Sequence, residues 1–251
     1  MQKKYYKLIA CEVLFREICA AAVNCKNIID VDFVFRGLHD LGEEKMVAKL
    51  QAELDAVEPN KYEAILLGYG LCNNGIRGLH SHTTIVVPKA HDCISLFLGS
   101  KEKYRKYFDE NPGSYFKTSG WLERERNTDA SEGTILNQMG YGMDRQKLIE
   151  LYGEENAEYL EEMIGDMTPH YKKMTYINMG FGMVENDREE AKRMANEKNW
   201  EFEELEGDNS LVFRLLNGNE SEWNPNEFLV IPPENTIEPS YDEDIIKISG
   251  R

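Results

Sequence analysis

Nowhere in these 251 residues does an apolar run reach the length of about 18 that a membrane-spanning helix requires. The opening stretch MQKKYYKLIACEVLF carries Lys3 and Lys4 ahead of an apolar segment. Cys11 and Glu12 break that segment and no small-residue cleavage site follows, so a secretory leader is not expected and the cytoplasm is the expected compartment. Cysteine is scarce and odd in number, five in all, and thiols of a reducing compartment read as core residues, metal ligands or reactive groups before disulfides. Basic residues are outnumbered, 29 against 45 acidic ones, for a net charge of −16. A surface of that sign repels phosphate backbones and anionic lipid, which removes nucleic acid and membrane from the expected partners. The acid gathers in ELYGEENAEYLEEMIGD and ENDREEAKRMANEKNWEFEELEGD, which read as solvated helix faces. Neither a Walker loop nor G-x-G-x-x-G occurs, which argues against nucleoside triphosphate binding.

What the sequence does contain is an alternation of strand and helix patterns. YYKLIACEV reads as a buried strand, LFREICAAAVN as a helix and DVDFVFRGL as a second strand. In EEKMVAKLQAELDAV the residues Met46, Val47, Leu50, Leu54 and Val57 recur at helical spacing until Pro59 stops the run. YEAILLGYG and HTTIVVPKA are short apolar runs of the kind found in parallel strands buried on both faces. The second half repeats the alternation: strand SYFKTSGW, helix DRQKLIELYGEENAEYLEEMIGD, strand KMTYINMGFG, helix DREEAKRMANEKN, strand WEFEELEG, short helix NSLVFRLLN and strand EFLVIPP. The expected fold is α/β, two Rossmann-like lobes of parallel sheet flanked by helices around one crevice, with one large continuous sheet as the alternative. The expected divisions are residues 1–110 for the first lobe, 111–236 for the second and 237–251 for an acidic surface tail.

Ligands of open parallel sheets bind beyond the carboxyl ends of the strands. In this sequence Cys11 ends the first strand, His39 follows the second, Cys72 follows the third in GYGLCNNG, and His91 and Cys93 follow the fourth in VVPKAHDC. Cys72, His91 and Cys93 would make a Cys2His set for a zinc ion with an open fourth position, which Cys11 could close. Cys11, Cys72 and Cys93 could instead hold an iron-sulfur cluster with one open iron. Without a metal, Cys93 at the start of a helix ISLFLGSKEKYRKYF could act as a nucleophile with His91 as its base. The bland reading is that the cysteines are small buried hydrophobes. His39 is a candidate general base or extra ligand beside Asp40, a candidate helix cap. Gly70, Asn73 and Gly75 allow tight turns and close approach of the backbone to a ligand, or simply an ordinary strand-to-helix turn. Across the crevice, Trp121 is a candidate wall for an organic substrate and Arg124 a candidate partner for an anionic group. His80, His82 and His170 sit in polar surroundings and read as surface residues.

ACEVLFRE, RGLHD, LLGYGLCNNG, VPKAHDCISLFLGS and FLVIPP together resemble a prokaryotic family, the domain of unknown function numbered 1638, over nearly the whole chain. The resemblance implies anaerobic bacteria and methanogenic archaea as hosts and an association with corrinoid-dependent methyl transfer. The chain is also loosely similar to zinc-dependent thiol methyltransferases, which use His-x-Cys plus another Cys. It departs from them in having a Cys ahead of the His-x-Cys and in being too short for their barrel. The expected function is therefore a zinc enzyme acting on a small thiol or methylated compound, with a corrinoid protein as a partner. A non-catalytic metal or corrinoid carrier and a three-cysteine iron-sulfur enzyme are the alternatives.

Overall fold

The fold begins with β1 (Tyr5–Cys11), whose residues Leu8, Ile9 and Ala10 have no exposed surface. In the computed structural model, which describes residues 3–127, 149, 154 and 171–249, this strand is an inner strand of a five-stranded sheet. A 3-10 turn over Glu12–Leu14 leads into α1 (Phe15–Asn24), then come β2 (Ile28–Val34), a second 3-10 turn over Arg36–Leu41, and α2 (Glu43–Asp55). Next are β3 (Ala64–Gly68) and β4 (Ile85–Pro88), every residue of both being buried, which is why they read as unbroken apolar runs. α3 (Cys93–Phe97) and α4 (Lys101–Glu110) follow. They replace the single long helix expected over this stretch. Gly99 breaks it at φ +78°, a conformation that favours glycine, and the Ser100 side chain caps α4 by accepting from Lys103 N.

The second sheet is parallel and has the order β5–β6–β7, from β5 (Ser114–Thr118), β6 (Lys173–Asn178) and β7 (Glu201–Glu206). α5 (Ser119–Asn127) starts directly on the end of β5, and α6 (Val184–Glu197) crosses from β6 to β7. Strand alternation divides this sheet's two faces. Phe116, Ile177 and Leu205 join the core of the first sheet, whereas Met174 and Tyr176 make a smaller core with Leu122, Ala191 and Ala195. The molecule is thus a mixed α/β protein with separate parallel sheets flanked by helices, not one continuous sheet. The helix read from DRQKLIELYGEENAEYLEEMIGD lies outside the described residues, apart from two isolated positions, and so does His170.

After β7 the chain returns to the first sheet. α7 (Ser210–Asn217) packs on α1, β3 and β4, and β8 (Phe228–Ile231) pairs antiparallel with β4, giving the order β2–β1–β3–β4–β8. The last stretch is not a surface tail. β9 (Ile237–Pro239) and β10 (Ile246–Ile248) form an antiparallel hairpin, and Ile237 and Ile246 are fully buried. Among the described residues no helix is long and apolar enough to cross a membrane.

Candidate functional site

β1 is paired in parallel with β2 on one side and β3 on the other. The chain therefore leaves β1 in one direction and returns on the opposite side, and the loops beyond the two carboxyl ends part there to leave room for a ligand. Cys11 is the last residue of β1 and is 2 % exposed. His39, half-buried in the turn after β2, brings its Nε2 to 3.8 Å from the Cys11 Sγ and its ring to 6.4 Å from that of Tyr69.

The loop after β3 holds Cys72 in place by backbone geometry. Leu71 N donates to Ala90 O at 2.7 Å and Cys72 N to His91 O at 2.8 Å, tying this loop to the one after β4. Gly70 makes that approach possible, because a Cβ there would lie 2.8 Å from the Asp92 backbone. Cys72, Asn73 and Asn74 then follow one another in the left-handed region, at φ 47°, 56° and 65°. A non-glycine run of that kind is costly and points to a loop whose path is imposed by its surroundings. Gly75 packs onto the Met46 side chain and Asn73 is exposed. The close approaches that the two glycines permit are therefore to the protein itself.

Cys93 opens α3 and is buried; the preceding Asp92 caps the helix by accepting from Ile94 N, and also accepts from the Tyr104 hydroxyl at 2.9 Å. His91 is exposed and contributes its backbone carbonyl to the loop rather than its ring to the buried thiols. Trp121 and Arg124 lie on α5, not at a strand end. That helix reaches the site because Gly120 sits against the Val13 carbonyl, where a Cβ would come within 1.9 Å. Arg124 Nε pairs with a Glu12 carboxylate oxygen at 3.5 Å, and the other oxygen of Glu12 accepts from Arg36 N at 3.0 Å. The Arg36 guanidinium stacks over the Trp121 ring at 5.8 Å.

Burial sets the protonation of the three thiols. Burial pushes Cys11 up to about 12, against the pull of the Val13 N–H and the Arg36 and Arg124 charges. Burial also raises Cys72, helped by Cys11 and Asp92, and it raises Cys93, helped by Asp92, Cys72 and Cys11. The Trp121 indole N–H, facing the Cys93 sulfur, acts in the opposite direction. All three shifts favour the neutral thiol, which is the reverse of the shift a metal-free cysteine nucleophile requires. Among the described residues no three His, Cys, Asp or Glu side chains stand at ligating distance from one point. Tyr69, Arg36 and Glu12 belong to this site and were not singled out in the sequence. Their signal is position alone, each lying within two residues of a strand's carboxyl end.

These features define an α/β protein with a thiol-rich site at the switch point of its larger, mainly parallel sheet. The family model described as a protein of unknown function, DUF1638, matches residues 33–216, and the chain belongs to that family. The matched stretch contains Arg36, His39, Tyr69, Cys72, Cys93 and Trp121 and leaves Cys11 outside. No curated protein and no solved structure matches the chain.

Proposed function

We propose that this protein is a metal-dependent enzyme that holds zinc through Cys11, Cys72 and Cys93, with His39 as the nearest nitrogen donor for a fourth position that a substrate thiol would take over, and acts on a small thiol or methylated compound. The observation that carries this reading is the placing of three buried thiols and a half-buried histidine beyond the ends of β1 to β4, with His39 Nε2 at 3.8 Å from Cys11 Sγ. The chemistry of the donors suits zinc, and one pair already stands near ligand spacing. A tetrahedral zinc with Zn–S of about 2.3 Å and Zn–N of about 2.0–2.1 Å sets those two ligand atoms about 3.5 Å apart, close to the 3.8 Å between Cys11 Sγ and His39 Nε2. Loading must draw Cys72 and Cys93 toward that pair. Loading would release the thiol protons, the metal charge offsetting the burial that otherwise keeps them bound. When bound, zinc would lower the pKa of a substrate thiol and hold it as the thiolate. The chain's own contribution is to bury the site, to fix the Cys72 loop against residues 90–92, and to set Trp121 over Cys93. A methylated corrinoid protein is the methyl donor this reading names.

The test is elemental analysis with a visible spectrum on anaerobically purified protein, comparing wild type with Cys11→Ser, Cys72→Ser, His39→Ala and His91→Ala. Near-stoichiometric zinc that is lost in both cysteine variants, weakened in His39→Ala and kept in His91→Ala is the expected result. A brown, iron-containing protein would move the assignment to a three-cysteine cluster, which the three buried thiols also suit. Absence of metal in the wild type, with reconstitution failing as well, would sink both.

A further inference from the structure

Seven buried side-chain nitrogen or oxygen atoms have no hydrogen-bond partner among the described residues. Three of them, Arg36 Nε, Tyr69 Oη and Trp121 Nε1, belong to residues of the thiol site, and all three carry a hydrogen to donate. The Arg36 guanidinium lies over the Trp121 ring at 5.8 Å, the Tyr69 ring is 6.4 Å from that of His39, which itself reaches Cys11, and the Trp121 indole N–H is turned to the Cys93 sulfur without reaching hydrogen-bond geometry. Tyr69 is 1 % exposed, so its hydroxyl has no route to bulk water. The Arg36 guanidinium has no carboxylate partner within 4 Å among the described residues, although Glu12 lies beside it and is taken up by Arg124 and by the Arg36 backbone. Unpaired buried donors are costly, and three of them in one site call for an acceptor with several lone pairs.

We infer that the site binds a small anionic thiol, a mercapto-carboxylate or chemically similar acid, whose negatively charged oxygens accept from Arg36, Tyr69 and Trp121 while its sulfur meets the thiol cluster. The sulfur contact rests on the proposed metal site; the oxygen contacts do not. Arg36 supplies the charge and a planar N–H, the geometry that suits a carboxylate. Tyr69 and Trp121 supply single hydrogens from rigid rings, which position the acid without adding charge. Such a site discriminates by leaving its donors unpaired when the acid is replaced by a neutral group.

The experiment is isothermal titration of the purified protein with 3-mercaptopropionate, with the neutral 3-mercaptopropanol, and with propionate, zinc content being measured on the same preparations. The acid thiol should bind at least about tenfold more tightly than the alcohol, the difference expected of one charge-assisted hydrogen bond. Arg36→Gln and Tyr69→Phe should each remove most of that preference by weakening binding of the acid. Tyr69→Phe deletes only a hydroxyl without a partner, so its fold should persist, and circular dichroism checks this. Equal affinity for acid and alcohol, meaning that water fills the position, would overturn the inference, as would a preference that survives both substitutions. Zinc-free protein that still prefers the acid, and still binds propionate, upholds the anion site while sinking the metal reading. Zinc-loaded protein without the preference does the reverse.

Discussion

At the scale of single residues, burial sets the chemistry. Glu17 on α1 is 1 % exposed, its Oε2 has no partner, and burial lifts its carboxyl to about 7, with the nearby Arg16 charge pulling the other way. In the unfolded chain this group ionises near 4.5. Between those two values the folded state holds the extra proton, so stability falls as pH rises; below the window there is no cost, and above it the cost is complete. The shift corresponds to about 3 kcal/mol. Glu17→Gln should therefore stabilise the protein by up to about that amount near pH 8 and change little near pH 5. Urea unfolding of both proteins at the two pH values decides it, and parallel pH dependences would show that Glu17 is not the group responsible. The cysteines divide in the same way. Cys19 is exposed and Cys25 half-buried, whereas Cys11, Cys72 and Cys93 are buried with raised thiols. In native, metal-free protein iodoacetamide should modify Cys19 first and reach the three site cysteines only on unfolding. Mass mapping of early adducts on Cys93 would contradict that order and restore the nucleophile reading.

At the scale of elements, the loop from Tyr69 to Gly75 is where backbone geometry does most for the site. Asn73 is exposed at φ 56°, so changing its side chain alters the backbone preference with little effect on packing. Asn73→Gly should be neutral or slightly stabilising, and Asn73→Val should cost about 1–2 kcal/mol, because a β-branched residue resists the left-handed region. Chemical denaturation of the two variants measures the difference. Gly70→Ala should be more damaging, since backbone at Asp92 cannot yield as a side chain can. The strands and helices of this region were legible from sequence because β3 and β4 are buried on both faces and α2 keeps its apolar spacing. Which histidine turns toward the thiols was not legible. His39 and His91 both follow strands, and only the path of each loop, fixed by hydrogen bonds such as Cys72 N to His91 O, sends one ring inward and leaves the other exposed. The break between α3 and α4 was hidden for a related reason, because Gly99 and Ser100 interrupt a stretch that otherwise reads as helical.

At the scale of the whole molecule, the two sheets are joined where the site lies. α5 from the second sheet presses on the 3-10 turn after β1, and Arg16 on α1 grips both carboxylate oxygens of Glu123 at 2.9 Å through Nε. Strand order across such distances leaves no local trace, so the sequence showed the alternation of elements but not that β8 returns to β4 or that the final segment is core. That segment yields the largest prediction. Ile237 N donates to Leu79 O, and Ile237 O accepts from Gly78 N, so β9 braces the chain that continues from the Cys72 loop. Ile237, Ile246 and Ile248 are buried, and removing buried isoleucines costs about 1.5–3 kcal/mol each in lost apolar burial. A chain ended at Thr236 should therefore lose about 5 kcal/mol or more, a large part of the stability of a typical domain. The Gly78 amide and Leu79 carbonyl would also lose their partners. Loss of a cooperative unfolding transition, together with rapid alkylation of Cys72 in the truncated protein, is the expected result. A truncated chain that unfolds at the wild-type midpoint with Cys72 still protected would show that the hairpin is an ornament of the surface and that the site is held by the parallel sheet alone.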